Sequence, residues 1–281
     1  MVTSTAPSHL TARERARRAA RGGASRSVPA PLLVPALIAV GFLVLPLAGL
    51  LVRAPWSHIG AALSGSDATQ ALVLSLWTAS ASTAISLVIG VPLAWVLARS
   101  SFPGQRLLRA LVTLPLVLPP VVGGVALLLA FGRTGFLGRY LDSWFGLTIP
   151  FTPIAVVMAE TFVAMPFLII TVEGALRTAD QGFEEAAATL GATRMTVFRR
   201  VTVPLIAPSL GAGGVLCWAR ALGEFGATIT FAGNFPGRTQ TMPLAVYLAL
   251  ETDPQAAIVL SLVLLAVSVI VLAGLRDRWI T

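Results

Sequence analysis

The chain contains no lysine: all 20 of its basic residues are arginine. A Walker A phosphate loop, a Schiff-base lysine and a Ser-Lys dyad are therefore unavailable, and nucleotide hydrolysis of the P-loop kind is excluded for this polypeptide. Cysteine is nearly absent as well. Cys217 stands alone, so neither an intrachain disulfide framework nor a thiolate metal cluster can be built. The two histidines, His9 and His58, lie outside the long apolar runs, which leaves a zinc site or a His-containing intramembrane triad without its parts. Charge is scarce: 11% of residues are charged, against roughly 25% in soluble domains.

What fills the chain instead is apolar. Hydrophobic residues make up 56% of the 281, and the mean hydropathy is +0.85. Surface-to-volume scaling does not let a water-soluble fold of this size hide so much. The expected solvent is lipid, and the expected fold class is an all-α integral membrane protein. Six segments read as membrane helices, over residues 29–52, 69–98, 107–131, 150–172, 204–231 and 255–275. Each is near or above the roughly 20 residues needed to cross a bilayer. The second run, at about 45 Å as a helix, must tilt or protrude. No internal repeat is visible.

The arginines set the orientation. With the N-terminus inside, fifteen arginines fall on the inner side: Arg13, Arg15, Arg17, Arg18, Arg21, Arg26, Arg99, Arg106, Arg109, Arg177, Arg194, Arg199, Arg200, Arg276 and Arg278. Four fall outside, Arg53, Arg133, Arg139 and Arg238, and Arg220 lies within a span. That bias predicts an N-in, C-in topology. It also explains the net charge of +8 without nucleic acid. Residues 1–28 read as a disordered, Arg-rich cytoplasmic tail, in preference to a transit peptide of similar composition. Residues 29–281 form the six-helix membrane domain.

The inner loop 173–203 is written as structure. Phe183, Ala186, Ala187 and Leu190 make an apolar stripe at helical spacing, and Gly191 stops it. Thr193 suits an N-cap, and Met195, Val197, Phe198 and Val201 mark a second short helix ahead of Pro204. On composition alone, the pair could equally be an amphipathic element resting on headgroups.

Glu185-Ala186-Ala187, three residues, Gly191, nine residues, then Val201-Thr202-Val203-Pro204 resembles the EAA loop of ABC-importer membrane subunits. Val201 and Val203 depart conservatively from the Ile and Leu of that pattern, with its spacing intact. LPLVLPPVVGGVALLLAFGRTGFLG at 114–138 and ALGEFGATITFAGNFPGRTQTMPLAVY at 221–247 are similar to the molybdate-permease branch, whose near neighbours are sulfate and thiosulfate permeases. The resemblance runs over most of residues 69–275. It implies an ABC type I importer permease in a bacterial cell membrane, with a coupling helix over Glu185, Ala186, Ala187, Gly191, Val201, Val203 and Pro204. It further implies two copies of an ATPase subunit that carries the ATP and Mg, a second permease copy, and an extracytoplasmic oxyanion-binding protein. The chain itself would bind no cofactor and catalyse no reaction, and the cargo would be molybdate or tungstate, with sulfate as the alternative. A stand-alone secondary transporter usually needs midplane carboxylates. Glu160 is a thin basis for that reading, and it leaves the loop unexplained.

Candidate translocation residues are Pro119, Pro120, Arg220, Glu224, Thr228, Thr230 and Asn234. Pro115, Pro119 and Pro120, with Gly123 and Gly124, kink the third run; such helices line pathways and also occur in plain bundles. Arg220 and Glu224 stand i, i+4 and can pair on one helix face. A structural pair of zero net charge is favoured over an anion stop. The polar stretch Thr228, Thr230, Asn234, Arg238, Thr239, Gln240 and Thr241 reads either as an outer vestibule or as an ordinary solvated loop, with Phe235-Pro236-Gly237 making a turn.

Overall fold

The computed structural model describes residues 30–58, 60 and 65–279. The tail assigned to residues 1–28 lies outside these. The described chain is helical, and it divides into an N-terminal unit ending at Val52 and a larger unit from Arg53 onward. The first unit contributes one apolar helix, α1 (Ala30–Val52).

The larger unit is built around three helices: α2 (Ser66–Arg99), α6 (Pro153–Thr178) and α10 (Ala207–Leu222). Between them come α3 (Gln105–Val117), α4 (Pro120–Phe131), α5 (Gly138–Phe145), α7 (Gly182–Thr189), α8 (Arg194–Val197) and α9 (Val203–Leu205). After α10 follow α11 (Gly226–Phe231), α12 (Met242–Thr252) and α13 (Pro254–Trp279). Among the described residues four helices are long and apolar enough to cross a bilayer: α1, α2, α6 and α13. Two bent pairs raise the number to six if each counts as one span.

Those pairs correct the sequence reading. The run 107–131 is not one kinked helix but two, α3 and α4, whose axes meet at 118°. The cause is a doubled proline rule. Leu118 precedes Pro119 and Pro119 precedes Pro120, so both are pushed out of the helical region, to ψ of 134° and 132°. Two consecutive extended residues turn the chain back. At 13 and 12 residues, α3 and α4 are each only about 20 Å long. The run 204–231 likewise breaks twice. α8, a π turn over Phe198–Thr202, and α9 form one piece that meets α10 at 75°. α10 then ends at Leu222, and Gly223–Phe225 separate it from α11. The end of the chain also holds an extra helix, α12, where an outer loop was expected.

Packing relies on small residues, as membrane helices require for close approach. Ala79, Val91, Ala94 and Leu97 of α2 meet Ala164, Leu168, Ile169, Val172 and Leu176 of α6, with Cys217, Ala221 and Leu222 of α10 closing the core. A Cβ at Gly90 would stand 3.3 Å from Ile169, and one at Gly213 would stand 3.1 Å from Leu168. A second cluster joins Leu127 of α4, Val156, Ala159 and Val163 of α6, and Ala227 and Phe231 of α11. Ala71, Met242, Ala245 and Leu260 tie α12 and α13 to α2.

Candidate functional site: a helical loop and a buried polar seam

The loop between α6 and α10 folds as two helices around a single glycine. α7 closes with a full Schellman motif: Gly191 N–H donates to the Ala188 carbonyl at 3.0 Å and Ala192 N–H to that of Ala187 at 3.1 Å. Gly191 adopts φ +84°, the left-handed region that disfavours a Cβ. Thr193 then caps α8, its hydroxyl accepting from Thr196 N–H at 3.3 Å. Glu185, Ala186, Gly191 and Pro204 are exposed, whereas Ala187, Val201 and Val203 are half-buried. Phe183, Leu190 and Met195 also face outward, so the loop presents an exposed apolar surface at its turn.

The carboxylate that faces inward is Glu184, which the sequence reading did not single out. Its Oε1 accepts from Arg99 Nη2 at 3.0 Å and from Thr202 Oγ1 at 3.1 Å. A second cluster lies at the same end of α2. Glu173 Oε1 takes Arg109 at 2.8 Å and Arg177 at 3.0 Å. Both arginines also reach the Leu97 carbonyl, joined there by Gln105 Nε2 at 2.8 Å. Cations at a helix C-terminus complement its dipole and satisfy carbonyls that have no intrahelical partner. Several of the arginines counted for orientation thus also cap and clamp one helix end.

The second group of candidates meets where α4 packs on α11. A Cβ at Gly226 would stand 2.9 Å from Pro120 Cβ, and one at Gly124 would stand 2.7 Å from the Ala227 carbonyl. Only glycine permits that approach. Glu224, in the break after α10, does two things: Oε2 pairs with Arg220 at 2.6 Å and Oε1 accepts from Ala227 N–H at 2.8 Å, capping α11. Thr230 donates back to the Gly226 carbonyl. Pro119 and Pro120 lie on the surface of the chain, while Glu224 and Thr228 are enclosed between helices. Asn234 lies beyond α11, half-buried. Five of the seven candidates, Pro120, Arg220, Glu224, Thr228 and Thr230, are therefore gathered around the α4–α11 contact, with Pro119 next to it and Asn234 apart.

The stretch 239–241 is not a solvated loop. Thr239, Gln240 and Thr241 are buried, because the start of α12 docks on α2 and Met242 N–H donates to Ser75 Oγ at 2.7 Å. Ser75, Thr78, Ser82 and Ser86 line one buried face of α2. Thr78 Oγ1 donates to Glu160 Oε1 at 2.9 Å, whereas Glu160 Oε2 meets no donor among the described residues. No group of three or more metal-ligating side chains occurs among the described residues.

Residues 90–281, more than half of the chain, match the family described as binding-protein-dependent transport system inner membrane component. The chain belongs to that family. It is 49% identical to the molybdenum transport system permease protein ModB of Mycobacterium tuberculosis, over 89% of this chain and 95% of that one. The ModB protein of Escherichia coli K12 is 42% identical over 75% and 92%. The sulfate transport system permease protein CysT of Salmonella typhimurium is 36% identical over 83% and 86%. The fold is shared with a bacterial ABC transporter that imports alginate, at TM-score 0.69 and 18% identity over 88% and 94% of the two chains. A methionine ABC transporter, MetNI, aligns at TM-score 0.56 and 21% identity over 76% and 96%. Membership makes the chain a multi-pass permease with an ABC type I importer fold.

Proposed function

We propose that this permease carries molybdate, or the isostructural tungstate, inward through a bacterial cell membrane, driven by ATP hydrolysis in a separate subunit. The observation that carries the cargo is the 49% identity, over 95% of its length, with a relative named for molybdenum transport. Sulfate, the cargo in the name of a 36% identical relative, is the second reading.

On this reading the two bent pairs count as spans, the chain crosses six times, and the loop 173–203 faces the cytoplasm. α7, turned by Gly191 and exposing Phe183 and Leu190, is the coupling helix and seats in a groove of the ATPase. The complex has two permease copies, two ATPases holding ATP and Mg, and a binding protein that delivers the anion outside. Motion of the ATPases reaches the spans through α7 and α8.

The α4–α11 contact is where the path would open. Its helices are short, broken at Pro119 and at Gly223–Phe225, and packed through glycine, so they can separate without unwinding a long helix. The enclosed state of Glu224 and Thr228 then corresponds to a closed path. The test is uptake into vesicles holding the permease and its ATPase, with the cognate binding protein and each anion supplied outside. Molybdate uptake that requires ATP and exceeds sulfate uptake is expected. Sulfate uptake that exceeds molybdate uptake would transfer the assignment to the second reading.

A further inference from the structure

The carboxylate of the Glu185-Ala186-Ala187 triplet is exposed, while the one before it is turned into the protein. Arg99 is the last residue of α2 and Glu184 lies in the first turn of α7. Each therefore sits at the helix end whose dipole favours its charge. Their side chains are 8% and 18% exposed and 3.0 Å apart, so this is no solvated surface pair of the kind that contributes little. Thr202, in the π turn between α8 and α9, donates to the same oxygen. One atom, Glu184 Oε1, thus joins the end of the longest span, the first helix of the loop and the foot of the second.

The neighbouring Glu173 cluster does not reach α7: it binds Arg109 of α3 and Arg177 of α6. α2 is held to α3 and α6 by that cluster, and to α7 by Arg99 and Glu184. The attachment is through Nη2, while Arg99 Nε and Nη1 are buried and meet no acceptor among the described residues. A single charge-assisted contact transmits a push or pull along its axis and still lets α7 pivot, which a two-pronged clamp would resist.

We infer that Arg99 and Glu184 are positioning residues for energy coupling, making α2 follow α7 when the ATPase subunits move. This rests on the reading of α7 as the ATPase-docking helix. Neither side chain is offered to the ATPase, since both point inward, so the pair acts after docking.

The experiment uses the complete complex in vesicles, with molybdate, binding protein and ATP, and reads three quantities: ATPase captured with the permease, ATP hydrolysed, and molybdate taken up. Glu184→Gln and Arg99→Gln should capture the ATPase as the unmodified chain does and still hydrolyse ATP, while uptake per ATP falls about tenfold, the scale set by loss of a charged hydrogen bond. The double variant Arg99→Gln with Glu184→Gln should lose little more than either single change, as two halves of one contact do. Arg99→Lys, which keeps the charge and is the milder change, should lie between and serves if the Gln variants insert poorly. Unchanged uptake per ATP in the Gln variants, or in Arg99→Lys when those do not insert, would overturn the inference. So would a double variant whose loss is the product of the two single losses. An unmodified chain that captures no ATPase would overturn the docking reading itself, and this inference with it.

Discussion

Replacing Gly191 with valine acts first on one backbone angle. A Cβ built at Gly191 meets no atom within 4 Å, so the first side-chain atom brings no clash with the surroundings. The cost comes from φ +84°, where a non-glycine residue loses about 1–2 kcal/mol and a β-branched one fits worst. The chain can relieve that strain only by leaving the left-handed region. It then gives up the Schellman bonds from Gly191 to Ala188 and from Ala192 to Ala187, each worth a net ~1 kcal/mol. Either route costs about 1–2 kcal/mol, a factor of about 5–30 in the population of the native turn. The turn sets the angle between α7 and α8, so the ratio of misaligned to aligned apolar surface at Phe183 and Leu190 should rise by that factor. The assay is capture of the ATPase subunit, and uptake, at equal permease levels in the membrane. Gly191→Asn is the control, because asparagine tolerates the left-handed region. Valine should lower both readings severalfold and asparagine much less. Equal loss in the two variants would refute the backbone reasoning. Undiminished capture and uptake with valine would refute the docking role of the loop.

Other perturbations have equally definite outcomes. Gly226→Ala and Gly124→Ala place a methyl 2.9 Å from Pro120 Cβ and 2.7 Å from the Ala227 carbonyl; both should lower the melting temperature in detergent, at an overpacking cost of about 1–3 kcal/mol, and impair uptake. Thr78→Val removes the hydroxyl that donates to the buried Glu160, and should destabilise by about 1–3 kcal/mol in the same melting assay, while Thr78→Ser keeps the hydroxyl, gives up one buried methyl and should cost only about 0.8 kcal/mol. A cysteine placed at an exposed position near Arg99 or Arg194 should react with an impermeant reagent only from the cytoplasmic side, and one near Asp142 only from outside; labelling of both loops from one side would end the six-span topology. The purified chain, with no lysine for a phosphate loop, should show no ATP hydrolysis until the ATPase subunit is added, as measured by phosphate release.

Much of the loop was legible because its signals are local. A left-handed glycine after a helical stripe and a threonine cap two residues later are read within ten residues of sequence, and Gly191 and Thr193 take up those geometries. The prolines were legible only as disruption. That Pro119 and Pro120 stand next to each other turns a kink into a reversal of 118°, and the angle depends on two successive backbone torsions rather than on composition. Long-range pairing was not legible at all. Glu184 and Glu185 are chemically identical neighbours, and only the packing of α7 beside the end of α2 decides which meets Arg99, 85 positions earlier. The same limit hid the burial of Thr239–Thr241. These residues read as loop until α12 is seen docking on Ser75, at a separation of 167 residues. One usable signal lies in the charges: Glu173 and Glu184 stand in the same inner loop region as Arg99, Arg109 and Arg177, and carboxylates beside apolar spans need such cations.

The fate of Arg220 follows from the second task of its partner. A dianion moving through the α4–α11 contact would find this guanidinium already engaged with Glu224 Oε2 at 2.6 Å. To claim Arg220 the anion must displace Glu224, and the same carboxylate holds the first turn of α11 through Ala227 N–H. Anion binding there would therefore also expose an uncapped helix start and a buried carboxylate without a cation. Both are costly away from water, and the second costs several kcal/mol. Glu160, held by Thr78 deep in the same unit, offers an oxyanion nothing attractive either. Arg220 and Glu224 hold the break between α10 and α11 together, which favours a structural pair over a stop for a multivalent anion. On the reading proposed above, a path without a strong anion site does not retain its cargo, and discrimination among tetrahedral dianions falls to the binding protein.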